Sequence, residues 1–369
     1  MSDARPAVRG PGASSPRPPV RDDLRDVTPY GAPQLDVPVR LNTNETPWAP
    51  PASFTEALTA RIAEGLDLHR YPDRDAVALR TAIAERERLS PDRVWAANGS
   101  NEILTQLFTA YGGAGRSILL FEPGYSAHPL LATVTGTAVV TEDLDADFVL
   151  HPEDAAAAVA RHQPAMVCVA SPNNPTGVPV SSDAVRAMHD AFEGLVVLDE
   201  AYVELSEDPG QGRALLDELD RLVVVRTFSK AWRLAGLRLG YLLAHDWVIA
   251  DLLKVRLPYH LDAITQAAGE VAVALAEDVT AHVAVLVAER ERLLGGLRGM
   301  GVTVWPSAGN FLLLRVADAG AVFDALLARG VLIRDFSSKP LLAGCLRVSV
   351  GTPEENDRFL AALEEALAS

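Results

Sequence analysis

Cysteine is nearly absent. The two present, Cys168 and Cys345, each sit inside an apolar run, far apart and without the spacing of metal ligands. They exclude a disulfide framework and read as packed thiols of a reducing compartment, with no metal site. Lysine is almost as scarce: it occurs only at 230, 254 and 339, so 33 − 3 = 30 of the 33 basic residues are arginine. Positive charge as a whole is short, leaving a formal net charge of −16. Such a chain repels nucleic acid and anionic membranes, so any anionic ligand needs a site made positive locally. No apolar run reaches the roughly 18 residues of a membrane span. The opening "MSDARPAVRGPGASSPRPPV", rich in Pro, Arg, Ser and Ala, lacks the apolar core of a secretory signal. It reads as a disordered leader, residues 1–22, on a cytoplasmic protein with no nucleic-acid and no membrane partner.

What is present is the composition of an ordinary globular protein, 49% hydrophobic and 22% charged over 369 residues, long enough for two domains. Short apolar runs end in polar or Gly-rich clusters: "RSILLFEPGY", "AMVCVASPNNPTG", "LVVLDEAY" and "LVVVRTFSK". Each reads as a strand buried on both faces, and helix candidates at 152–161 and 181–192 lie between them. That alternation predicts an α/β fold with a mostly parallel sheet covered by helices. In such sheets ligands bind beyond the carboxyl ends of the strands, where all four polar clusters fall. From about residue 263 to 300 the pattern predicts a long helical region broken near Thr280. Shorter mixed elements follow it, including a helix over 319–329 and a final helix from Pro353, so a smaller α+β domain is expected over 261–369.

Lys230 follows "RLVVVRTFS" and so stands at the mouth of the sheet. A lysine at a strand end is ordinarily a solvated residue, but three neighbours argue otherwise here. Asp199 ends the adjacent run, where a buried carboxylate requires a cationic partner. Tyr202 lies three residues further on, and Asn174 sits in the rigid turn of "SPNNPTG". A lysine, a carboxylate, a phenol and an amide at strand ends suit pyridoxal 5'-phosphate. The lysine forms the Schiff base, the carboxylate keeps the ring nitrogen protonated, and phenol and amide bond the ring oxygen. For the phosphate, Arg238 offers a planar fork and Ser229 a hydroxyl, while "ANGSNE" reads as a helix start whose N–H groups at Gly99, Ser100 and Asn101 bind an anion. Tyr125, in "EPGYSAHP", can stack on the ring.

Together "SPNNPTG", "LDEAY", "TFSKAWRLAGLRLGY" and "GCLRVSVGT" resemble the fold-type I pyridoxal phosphate aminotransferases. More narrowly, "DVTPYGAPQ", "RLNTNETP", "HRYPD" and "ANGSNE" resemble the histidinol-phosphate aminotransferase family. The resemblance covers almost everything after about residue 22. It implies a seven-stranded-type sheet in a large cofactor-binding domain over 46–260, a small domain over 261–369 and an N-terminal arm over 23–45. It also implies a homodimer with shared active sites. Lys230 is then the Schiff-base lysine and proton shuttle, and Asp199, Asn174, Tyr202, Tyr125, Gly99, Ser100, Asn101, Ser229 and Arg238 hold the cofactor. Tyr71, from the other subunit, joins them at the phosphate. Arg347 matches the arginine that binds the carboxylate of glutamate or 2-oxoglutarate. Arg334, Tyr30 and Asn310 line the pocket for the phosphate of L-histidinol phosphate. Thr46, Trp232 and Arg233 depart from the family pattern, leaving the cofactor chemistry untouched. An aromatic amino-acid aminotransferase shares the same cofactor motifs, and a decarboxylase shares the same fold.

Overall fold

The computed structural model describes residues 18–368, so residues 1–17 of the expected leader lie outside the described residues. In chain order the strands are β1 (Val39–Arg40), β2 (Val94–Ala97), β3 (Ser117–Glu122), β4 (Ala138–Asp143), β5 (Met166–Ala170), β6 (Leu195–Asp199) and β7 (Leu222–Thr227). They continue with β8 (Gly240–Leu243), β9 (Thr303–Val304), β10 (Phe311–Arg315), β11 (Val331–Leu332), β12 (Arg334–Asp335) and β13 (Cys345–Ser349). The central sheet has seven strands in the order β2-β8-β7-β6-β5-β3-β4. All its pairs are parallel except those of β8, which runs antiparallel to both β2 and β7.

Successive side chains of a strand face opposite sides, and here both sides are apolar. Val196, Leu198 and Val224 enter one core, while Leu195, Val197, Val223 and Val225 enter the other. This two-sided burial is why "LVVLD" and "LVVVRT" are continuous apolar runs. From β3 the chain adds β4 on one side and then returns to add β5, β6 and β7 on the other. The order therefore reverses between β3 and β5, which opens a crevice at their carboxyl ends.

A second, antiparallel sheet has the order β12-β13-β10-β9, with Leu312, Leu314, Leu346, Val348 and Phe359 in its core. The run "GVLIRDF" divides at buried Ile333: Val331–Leu332 pairs in parallel with β1, and Arg334–Asp335 pairs with β13. The long helical region breaks at Leu275, five positions before the expected corner at Thr280, into Ala263–Ala274 and Ala276–Gly299 at 74°. No glycine or proline marks the corner. It arises because the first helix packs on the Ala52–Ala63 and Val77–Glu87 helices, whereas the second packs on β10 and the Pro353–Leu367 helix. Among the described residues no single helix is long and apolar enough to cross a membrane.

Candidate active site

A cleft of about 630 Å³ opens at the carboxyl ends of β3, β5, β6 and β7. Lys230 lies three residues beyond β7, and its Nζ donates to the Thr43 carbonyl at 3.1 Å and stands 5.6 Å from the centre of the Tyr202 ring. Burial, then the nearby Arg347 and Arg238 guanidiniums, pull the Lys230 ammonium down to about 8, with Glu45 opposing them. Roughly a tenth of this amine is therefore neutral at pH 7, far more than for an exposed lysine.

Asp199, the last residue of β6, is buried at the floor of the cleft. Its Oδ2 lies 3.0 Å from His128 Nε2, while its Oδ1 has no hydrogen-bond partner. An unpaired buried carboxylate oxygen is costly, so a donor entering the cleft is the natural way to satisfy it. Burial favours the neutral His128 ring, but Cys168 and Asp199 beside it prevail and hold its pKa above the ordinary histidine value. The Tyr202 hydroxyl accepts from Asn44 Nδ2 at 3.0 Å and Asn174 Nδ2 at 3.4 Å, and burial pushes the phenol up to about 12. Tyr125 lines the same cleft and meets His128 edge-on at 5.2 Å.

An anion cup lies at the start of the Ser100–Tyr111 helix. The first N–H groups of a helix have no intrahelical acceptor and carry partial positive charge. Gly99 enters that helix at φ 84°, in the left-handed region, and a Cβ there would come within 2.8 Å of Arg238 Nη2. A Cβ on Gly240 would stand 2.6 Å from the Ser100 nitrogen. Both glycines thus permit an approach that any larger residue would close. Arg238 Nη1 lies 3.5 Å from Ser229 Oγ, completing a cup of guanidinium, hydroxyl and helix N–H groups.

The far end of the cleft is cationic. Arg334 of β12 and Arg347 of β13 stand directly opposite one another in the antiparallel register, and like charges so placed repel. Arg347 is buried and donates to the Asn42 carbonyl at 2.8 Å and to Asn174 Oδ1, leaving its Nε without an acceptor. Burial is the main cause that lowers its pKa to about 10. Arg334 Nη2 reaches the Gly31 carbonyl at 3.2 Å, and Tyr30 borders the same space, 6.2 Å from Tyr125.

Of the site residues singled out by sequence, three are not in the cleft lining: Asn310, Tyr71 and Gly99, the last of which lies against Arg238. Asn310 is buried behind it, donating to the Asn44 carbonyl at 3.0 Å. Tyr71 is 79% exposed and stacks on Tyr259, outside the cleft of its own chain. His128, although it sits in the quoted "EPGYSAHP", and the strap Asn42–Glu45, which lines the cleft opposite Lys230, are not among the residues that the sequence pattern singles out. Two asparagines, Asn42 and Asn44, just after buried Val39 and Leu41 were the available signal for the strap.

Residues 37–363 match the family described as aminotransferase class I and II. The chain is 48% identical over 354 residues to a histidinol-phosphate aminotransferase of Mycobacterium sp. (strain KMS), covering 93% of each. It is 47% identical over 355 residues to the same enzyme of Corynebacterium diphtheriae, covering 94% of this chain and 96% of that one. The crystal structure of histidinol-phosphate aminotransferase from Sinorhizobium meliloti, in complex with pyridoxal-5'-phosphate, superposes with a TM-score of 0.82 at 28% identity, covering 90% of this chain and 91% of that one.

Proposed function

The chain belongs to the class I and II aminotransferases, and from that premise we propose that its cleft moves an amino group between L-histidinol phosphate and 2-oxoglutarate. The products are imidazole acetol phosphate and glutamate, a step of histidine biosynthesis, with pyridoxal phosphate as cofactor. The cleft suits that group: Asp199 Oδ1 lacks a donor, the cup at Gly99 and Arg238 is shaped for a phosphate, and Lys230 carries a weakened ammonium. When bound, pyridoxal phosphate supplies an electron sink for the pair left behind when the substrate Cα loses its proton.

The protein's own groups do the rest. Ser100, Asn101, Ser229 and Arg238 would hold the cofactor's phosphate. Asp199, steadied by His128, would pair with the ring nitrogen, Tyr202 and Asn174 would bond the ring oxygen, and Tyr125 would cover the ring. The Lys230 amine would accept the proton from the substrate Cα and release it again within the site, a transfer of the kind that contributes about 10²- to 10⁴-fold. Arg347 binds the carboxylate of the keto acid. Both halves use one site, so the kinetics are ping-pong. The active unit is a homodimer in the cytoplasm in which Tyr71 of the partner subunit completes the phosphate cup. The exposed Tyr71–Tyr259 stack, next to exposed Leu68 and Leu257, supports such a contact.

The observation that carries the choice of donor is the opposed Arg334–Arg347 pair, which a phosphate dianion would neutralise. With saturating 2-oxoglutarate, kcat/KM for L-histidinol phosphate is expected to exceed that for L-phenylalanine by roughly a hundredfold, about 2.7 kcal/mol. Arg334→Ala should lower the first value by about 10- to 100-fold, the worth of a charged hydrogen bond, and leave the second within about threefold. Equal losses for the two donors would transfer the assignment to an aromatic amino-acid aminotransferase.

The weakened ammonium gives a pH test. Capture of pyridoxal phosphate by the cofactor-free protein requires neutral Lys230. Its rate should rise about tenfold per pH unit from acid and level off above a pH of about 8, well below the 10.5 of an unperturbed lysine. Stopped-flow visible absorbance measures this, and a rate still climbing tenfold per unit beyond pH 9.5 would contradict the placement of Lys230.

A further inference from the structure

Thr46, Trp232 and Arg233 were left without a role by the sequence motifs, yet they meet around one loop. Lys230 sits in a turn closed by Leu234 N–H to the Phe228 carbonyl and Arg233 N–H to the Lys230 carbonyl, each at 3.1 Å. Arg233 closes it at φ 61°, in the left-handed region. The Trp232 ring is buried, packed 4.6 Å from Phe228 with the Arg86 guanidinium 4.9 Å from its centre. Its Nε1 donates to Glu204 Oε1 at 2.9 Å.

The place of that bond matters more than its existence. Trp232 lies two residues after Lys230, and Glu204 lies two residues after Tyr202, in the short 3-10 turn Val203–Leu205. The indole and the carboxylate thus form a rung joining the two loops whose ends present the amine and the phenol to the cleft. On the other side, Arg233 donates to the Ala49 carbonyl at 3.2 Å, and Thr46 Oγ1 lies 2.8 Å from His282 Nε2 on the Ala276–Gly299 helix. These bonds anchor the segment that directly follows the strap, whose Thr43 carbonyl accepts from Lys230.

We propose that Trp232 and Glu204 are positioning residues for the transamination: their bond fixes the Lys230 loop against the Tyr202 turn and so sets where the amine meets the cofactor. The proposal rests on the assignment of Lys230 and Tyr202 given above. Proton transfer is steep in geometry, and a displacement near 1 Å can cost on the order of 10²-fold. A smaller slip, with both loops still folded, is expected when the rung alone is lost.

Three variants of the cofactor-loaded enzyme separate the rung from simple packing. Trp232→Phe keeps a ring and loses the donor, Glu204→Met loses the acceptor, and Glu204→Gln keeps an acceptor. The first two should each lower kcat by about 10-fold with KM for both substrates within about twofold. Both should weaken the visible circular dichroism band of the bound cofactor to a similar degree, whereas Glu204→Gln behaves as the parent. The double variant Trp232→Phe/Glu204→Met should be no worse than either single one, because the same bond is removed. The proposal is overturned if the two losses multiply toward 100-fold, or if Glu204→Gln is as damaging as Glu204→Met. It is also overturned if Tm falls while kcat and the dichroism band stay unchanged. A Lys230→Ala variant with an unaltered cofactor spectrum would instead remove the underlying assignment, and so tells the two failures apart.

Discussion

Lys230→Ala is expected to lower kcat/KM for L-histidinol phosphate by about 10⁴-fold, the upper end of what positioned proton transfer contributes. No neighbour can take over. Lys254 and Lys339, the other lysines of the chain, are absent from the cleft wall, and the cations that do line it, Arg238, Arg334 and Arg347, are guanidiniums that stay protonated at neutral pH and so cannot accept the Cα proton. The same change should abolish the visible band that depends on a covalent bond between the lysine and the cofactor, while the phosphate cup still binds the cofactor reversibly. Dialysis against cofactor-free buffer followed by absorbance would show both. Retention of either the parent band or more than about a tenth of the parent kcat would rule Lys230 out as the catalytic base.

Asp199→Asn should produce the second largest effect, a loss of about 10²- to 10³-fold in kcat, the range found when one preorganised electrostatic group is removed from a site. The substitution keeps the shape of the side chain and can keep the 3.0 Å contact with His128, since an amide oxygen also accepts. What disappears is the negative charge beside the unpartnered Oδ1 position, and with it the force that holds a proton on the ring nitrogen. Cofactor affinity should also weaken, which equilibrium dialysis would measure. If kcat falls by less than about threefold, the carboxylate does not face the ring nitrogen.

The parts of this site legible in the sequence are those where chemistry follows local pattern. Asp199 and Lys230 end or follow apolar runs, and a strand buried on both faces has to expose its polar residues at its ends. Gly99 precedes a helix start that a pattern of Asn, Gly, Ser and Glu announces. The parts that escaped depend on register and on distant partners. The opposition of Arg334 to Arg347 is a property of how β12 lies on β13, invisible in either strand alone. His128 acquires its role only because Asp199, 71 positions later, ends the strand beneath it. The break at Leu275 was misplaced for the same reason: two different cores pull on one apolar helix, and neither core is written into the helix.

The two-residue pairing of β1 with β11 bears on how the chain is made. Val39 and Leu41 fill the core formed by Leu312, Leu346 and Phe359, so a segment that precedes the central sheet in the chain closes a hydrophobic interior that follows it. During synthesis Val39 and Leu41 wait unpaired until Phe359 has emerged. A fragment cut out from Ala263 onward would present a vacancy where Val39 and Leu41 belong, together with the bare edge of β11. The Val39–Leu41 segment therefore acts as a late clasp on the small sheet, and the strap that follows it lines the cleft.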